Sequence, residues 1–74
     1  MRIEIKCFAT LAHYAPAEGV LDVEEGTRVE EVIALLQIPA DEVKIRFING
    51  VHVQPEAVLS SGDRLGLFPA VGGG

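Results

Sequence analysis

Ile3, Ile5 and Cys7 alternate with Arg2, Glu4, Lys6 and Phe8 at the start of the chain. A period of two predicts a strand with one buried face. Leu21 and Val23 repeat the pattern between Val20, Asp22 and Glu24. The stretch between these runs carries Pro16 and Gly19 and is expected to be a loop, so the two strands form an antiparallel hairpin. After Gly26 the period changes. Val29, Val32, Ile33 and Leu36 fall at i, i+3, i+4 and i+7, one stripe of an amphipathic helix. Thr27 and Glu30 have the spacing of a capping box, and Pro39 sets the latest stop. A helix over residues 27–36 follows.

The second half returns to strands. Residues 44–48 are a third strand, Asn49-Gly50 is a hairpin turn that tolerates positive φ, and residues 51–53 are a short fourth strand. Residues 55–59 are irregular, and Ser60-Ser61-Gly62-Asp63 forms a turn. Residues 64–68 make the last strand, with Leu65 and Leu67 inward and Phe68 outward. One helix covers one sheet face, so the pattern predicts a two-layer α+β domain. The expected core is Ile3, Ile5, Cys7, Leu21, Val23, Val29, Val32, Ile33, Leu36, Ile45, Leu65 and Leu67. Residues 1–68 form the domain, and residues 69–74 an exposed glycine-rich tail.

Length and charge narrow the possible functions. A chain of 74 residues is one domain with little room for both a core and a deep active site. A single cysteine allows no internal disulfide, and no Cys/His spacing suits zinc. Eleven acidic against six basic residues give a net charge of −5, which argues against nucleic acid and anionic membranes. The same charge permits docking to a basic protein surface. The alternating start is not the apolar run of a signal peptide, and no stretch is long enough to span a bilayer. A lone thiol without an export signal predicts a cytoplasmic setting.

The catalytic inventory is nearly empty. There is no phosphate-binding loop, no G-x-S-x-G and no C-x-x-C. Cys7 shares a face with Ile3 and Ile5 and reads as a core thiol, not a sulfur-handling nucleophile. His13 and Tyr14 lie in the loop without an assignable role, and His52 is expected on a strand surface. The sequence ends Gly72-Gly73-Gly74. Such an end is either a frayed terminus or a tail narrow enough to thread into another enzyme, with the Gly74 carboxylate as its reactive group. Its position directly after a strand and Pro69 favours the second reading.

Several segments resemble the MoaD/ThiS family of sulfur carriers. These are Lys6-Cys7-Phe8-Ala9-Thr10-Leu11, Phe47-Ile48-Asn49-Gly50, Ser61-Gly62-Asp63-Arg64-Leu65 and, above all, Leu67-Phe68-Pro69-Ala70-Val71-Gly72-Gly73-Gly74. The last is similar to the F-P-P-V-x-G-G ending of the molybdopterin synthase small subunit, with Ala70 for the second proline and Gly72 for a small residue. The resemblance implies a ubiquitin-like β-grasp fold, a mixed sheet with one main helix packed on one face. It implies that Gly74, at the end of Gly72-Gly73, is adenylated by an E1-like enzyme and becomes a thiocarboxylate. It implies further that the large subunit of molybdopterin synthase receives the tail, and that the domain binds no cofactor, ATP being used by the activating partner. The domain is then a carrier, not an enzyme. A thiamine-pathway carrier shares the glycine ending but has an early I-x-V-N-G pattern that is missing here, while Phe68-Pro69 favours the molybdopterin side. A β-grasp interaction module without sulfur chemistry is a third reading.

In such a fold the first and last strands are parallel neighbours. Phe8 and Phe68 then meet on the face opposite the helix, with Gly66 leaving room beside Phe68. Exposed apolar patches often mark partner surfaces. Phe8, Phe68, Pro69 and Val71 are therefore the expected partner contacts, although Phe8 is equally readable as half-buried under the adjoining loop.

Overall fold

The computed structural model describes residues 1–70. Strand β1 spans Arg2–Cys7, β2 Val20–Asp22, β3 Val43–Ile48, β4 Val51–His52 and β5 Arg64–Pro69. They form one mixed sheet in the order β2-β1-β5-β3-β4. The outer pairs are antiparallel hairpins, while β1 and β5 run parallel at the centre. Helix α1, Val29–Leu35, buries Val29, Val32 and Ile33 against Ile3, Ile5, Leu65 and Leu67. The architecture is the expected ubiquitin-like β-grasp.

The sequence dictates most of this locally. Asn49 and Gly50 take φ of 52° and 83°, the left-handed pair that a two-residue hairpin turn between β3 and β4 requires. The Asn49 side chain then joins two turns. Its Nδ2 donates to Asp63 Oδ1 at 2.9 Å, and its Oδ1 accepts from the Arg64 N–H at 2.9 Å. This fixes the start of β5 against the hairpin.

The helix begins later than its pattern suggests. Arg28 is the N-cap, and Glu31 accepts from the Arg28 N–H at 2.8 Å, so the acidic half of the box is shifted by one residue from Glu30. Thr27 is not the cap; its hydroxyl donates to the Glu24 carbonyl at 2.6 Å. The unpaired N–H groups of the first turn find other acceptors. Val29 donates to Ala57 O and Glu30 to Pro55 O, so the irregular 55–59 segment closes the helix start. The loop after β1 is also more ordered than expected: Ala9–Tyr14 and Ala17–Gly19 are short 3-10 helices.

The core departs from expectation at one strand. Ile45 is not in the core. It faces away from the helix and is 36% exposed, while Val43 is buried. The cause is a bulge. Val43 pairs with Pro69 and Ile45 with Phe68, so two steps on β3 oppose one on β5 and Lys44 is the extra residue. Val43 and Ile45 thus escape the rule that i and i+2 share a face. Leu21 and Leu36 pack against the core but are only partly buried. Leu11, Ile38, Val43 and Leu59 complete it.

Candidate functional site

The face of the sheet away from α1 carries the candidate site. Pairing register decides which side chains share it. Lys6 and Phe47 both lie opposite Gly66, Ile45 lies opposite Phe68, and His52 lies opposite Phe47. Phe8 follows directly after β1 and continues its outward series. Its N–H donates to Leu67 O at 3.0 Å, which ties it to β5 beside Phe68.

These residues form an aromatic cluster. The rings of Phe8 and Phe68 stack with centroids 4.1 Å apart and planes 5° from parallel. Phe47 meets Phe68 edge-on at 5.6 Å, and His52 tilts against Phe47 at 5.8 Å. Lys6 Nζ lies 5.6 Å from the Phe8 centroid, within range of a cation–π contact. All three phenylalanines remain only partly buried. Phe8 is thus half-buried, with Phe68 against its ring. Each aromatic pair adds about 0.5–1.5 kcal/mol beyond area burial, so Phe68, which makes two such contacts, also holds the cluster together.

Gly66 sits in the middle of this cluster. Glycine inside a strand is weaker than alanine by roughly 0.5–1 kcal/mol. Its backbone is not in the left-handed region, so the conformation does not demand glycine. An added Cβ would lie 3.6 Å from Phe8 Cε2, 3.9 Å from Phe68 Cε1 and 4.0 Å from Phe47 Cβ, ordinary contact distances.

The cluster lies at the point where the chain leaves the sheet. Pro69 is the last residue of β5, and the Ala70 N–H donates to Glu42 O at 3.3 Å. Tyr14 reaches the same place, its hydroxyl 3.5 Å from Glu42 Oε1. Partial burial and the Glu42 charge both push the Tyr14 phenol above its ordinary range, so it stays a neutral donor. The structure therefore brings Phe8 and Phe68 together, while Pro69, next along β5, pairs with the buried Val43 and turns to the helix side. Val71, Gly72, Gly73 and Gly74 lie outside the described residues.

Other candidates fall elsewhere. Cys7 is buried on the helix side of β1, and burial pushes its thiol up, which leaves it protonated and inert. His13 packs against Tyr14 at 4.1 Å. His52 is on a strand surface as expected, and it borders the cluster. No group of three His, Cys, Asp or Glu side chains able to hold a metal occurs among the described residues, and no helix there is long and apolar enough to cross a membrane. Sequence reading missed Phe47 and Ile45 as members of the site. With Ile45 read as inward, alternation turns Phe47 inward as well; only the register of β3 against β5 shows both facing out.

The fold and site define a ubiquitin-like domain with an aromatic cluster on the sheet face away from its helix. The ThiS family model matches residues 5–74, and the chain belongs to the ThiS family. Two crystal structures of small archaeal modifier protein 1 from Haloferax volcanii are similar at 26% identity. One has a TM-score of 0.73 with all of both chains covered, and the other 0.72 with 95% of this chain and 98% of that one covered. A Pyrococcus furiosus protein provisionally named molybdopterin converting factor, subunit 1, shares the fold. Its TM-score is 0.74 at 24% identity, with 96% of this chain and 99% of that one covered. Comparison with curated proteins gave no match. Family membership gives the domain the ubiquitin-like fold of the ThiS/MoaD-type sulfur carriers, a family of small carrier proteins.

Proposed function

We propose that this chain carries sulfur as a thiocarboxylate on Gly74 and serves as the small subunit of molybdopterin synthase. The observation that supports it most is the Phe8–Phe68–Phe47 cluster, a partly exposed aromatic face whose Phe68 directly precedes Pro69 in a ThiS-family chain. A partner seated on that face receives the following residues, Val71 and Gly72-Gly73-Gly74, at its own active site. The docking supplies affinity through aromatic anchors, and the glycines leave the chain narrow.

The chemistry needs two partners. In an E1-like adenylating enzyme, a carboxylate oxygen of Gly74 attacks the α-phosphorus of ATP and expels pyrophosphate. A sulfur nucleophile at the oxidation level of sulfide then attacks the acyl carbon and expels AMP, leaving the thiocarboxylate. ATP stays with that enzyme, and this domain holds no cofactor. The large subunit of molybdopterin synthase takes the sulfur, and two such transfers build the dithiolene of molybdopterin. The reaction is cytoplasmic and involves neither nucleic acid nor membrane.

A second reading has support from the likeness to small archaeal modifier protein 1 over the whole chain. A modifier shares the adenylation but passes its acyl group to an amine of another protein, forming an amide. A thiamine-pathway carrier forms the same thiocarboxylate and delivers it elsewhere. Reconstitution separates the three. The thiocarboxylated chain is mixed with the large subunit and the dithiolene precursor, and formation of the dithiolene is followed. Dithiolene appears if the proposal holds. A thiocarboxylate that is stable with the large subunit but consumed by thiazole synthesis contradicts it, as does transfer of the chain's mass onto lysines of other proteins.

A further inference from the structure

Gly66 is the one residue of the docking face whose type the fold does not explain. Glycine in a strand interior weakens the strand and often marks a bulge or a close approach by another molecule. The bulge of this sheet lies at Val43–Ile45, and pairing at Gly66 is regular on both sides, with Lys6 on β1 and Phe47 on β3. The backbone is extended, and a Cβ fits at 3.6 Å or more from its neighbours. Alanine would therefore be accepted with a gain in strand stability. What glycine preserves is space. An open depression of about 600 Å³ lies over it, with Phe8 on one side, the Gly50 turn on the other and Glu4, Lys6, Glu18 and Arg64 around the edge. None of these four charges forms a salt bridge among the described residues. An apolar centre inside a polar rim is the anatomy of a protein interface.

We infer that Gly66 is a specificity-determining residue, the floor of a socket that seats one apolar side chain of the partner between Phe8 and the Gly50 turn. This rests on the sheet-face docking proposed above and names what that face recognises. The bound side chain replaces the Cβ that β5 lacks and covers ring edges left exposed in the free domain. The rim charges meet polar groups that surround the anchor. Enlarging residue 66 fills the socket from below, so it weakens binding without weakening the fold.

The test uses the purified E1-like adenylating enzyme of the same genome as probe, titrated against wild type, Gly66→Ala, Gly66→Val and Phe68→Ala, with thermal unfolding of each free domain. Gly66→Ala should unfold at or above the wild-type temperature and bind at least about fivefold more weakly, the scale of one energetically important contact. Gly66→Val should bind more weakly still. A lower unfolding temperature for Gly66→Ala overturns the inference, because the phenylalanine packing itself then requires glycine. Wild-type affinity of both Gly66 variants beside a weakened Phe68→Ala also overturns it, while leaving the docking face in place. Wild-type affinity of Phe68→Ala, or no binding by the wild type, removes the docking face and the socket with it.

Discussion

Ile5→Ala and Ile45→Ala remove the same atoms from opposite faces of one sheet, and the bulge in β3 makes their effects very different. Ile5 is 4% exposed and packs in the core with Ile3, Leu65 and Leu67. Truncating a buried isoleucine to alanine costs about 2–5 kcal/mol through lost transfer energy and the residual cavity. Ile45 is 36% exposed on the face away from α1, beside Phe68. There the loss is mainly one of β-propensity, a scale that spans about 1 kcal/mol. A domain of this size has a total stability of roughly 4–11 kcal/mol, so Ile5→Ala brings it close to unfolding and Ile45→Ala does not. Urea titration followed by far-ultraviolet circular dichroism measures both. With a slope near 1 kcal/mol per molar, about the lower end for small domains, the midpoint should fall by roughly 2–5 M for Ile5→Ala and about 1 M for Ile45→Ala. Equal losses would refute the bulge and return Ile45 to the core.

Phe68→Ala should weaken binding to the large synthase subunit and to the activating enzyme by roughly 1–4 kcal/mol. It should also cost the free domain about 1–3 kcal/mol, because two aromatic contacts disappear. Calorimetric titration and thermal unfolding measure the two losses, and normal binding by the folded fraction would move the docking face elsewhere. Cys7→Ser should lose some stability, about 1–3 kcal/mol for a hydroxyl buried without a partner, yet still load sulfur on Gly74. A folded Cys7→Ser that cannot be loaded would overturn the terminal site. Burial raises the Cys7 thiol, so its contribution to stability is full below the unfolded value near 8.5 and is lost as pH rises toward the raised folded value. Unfolding titrations of wild type and Cys7→Ala across that range should show the extra alkaline decline only in the wild type.

The elements that the sequence showed plainly are those where one physical signal acts alone. Ile3, Ile5 and Cys7 alternate without interruption, and β1 pairs in one register throughout. Val29, Val32 and Ile33 fall on one helix face, and all three are buried. Alternation failed at Ile45 because it assumes an unbroken ladder, and a single inserted residue, Lys44, reverses the face. Leu11, Ile38 and Leu59 were invisible because each lies outside any strand or α-helix, where no period exists to count. The cap at Arg28 was missed because Thr27 and Glu30 match the box in residue type, while the backbone turns into the helix one residue later. At the site, Phe8 and Phe68 were legible from strand parity. Phe47 was hidden by the same misreading of β3 that placed Ile45 inside.

The central claim is that Gly74 carries the sulfur. Intact-mass spectrometry after incubation with ATP, the E1-like enzyme and a sulfur donor tests it most directly, with a variant lacking Gly74 alongside. The account predicts a full-length species heavier by the difference between one sulfur and one oxygen atom, dependent on ATP and absent from the truncated variant. An unchanged mass for the full-length chain, or the same gain in the variant without Gly74, would contradict it.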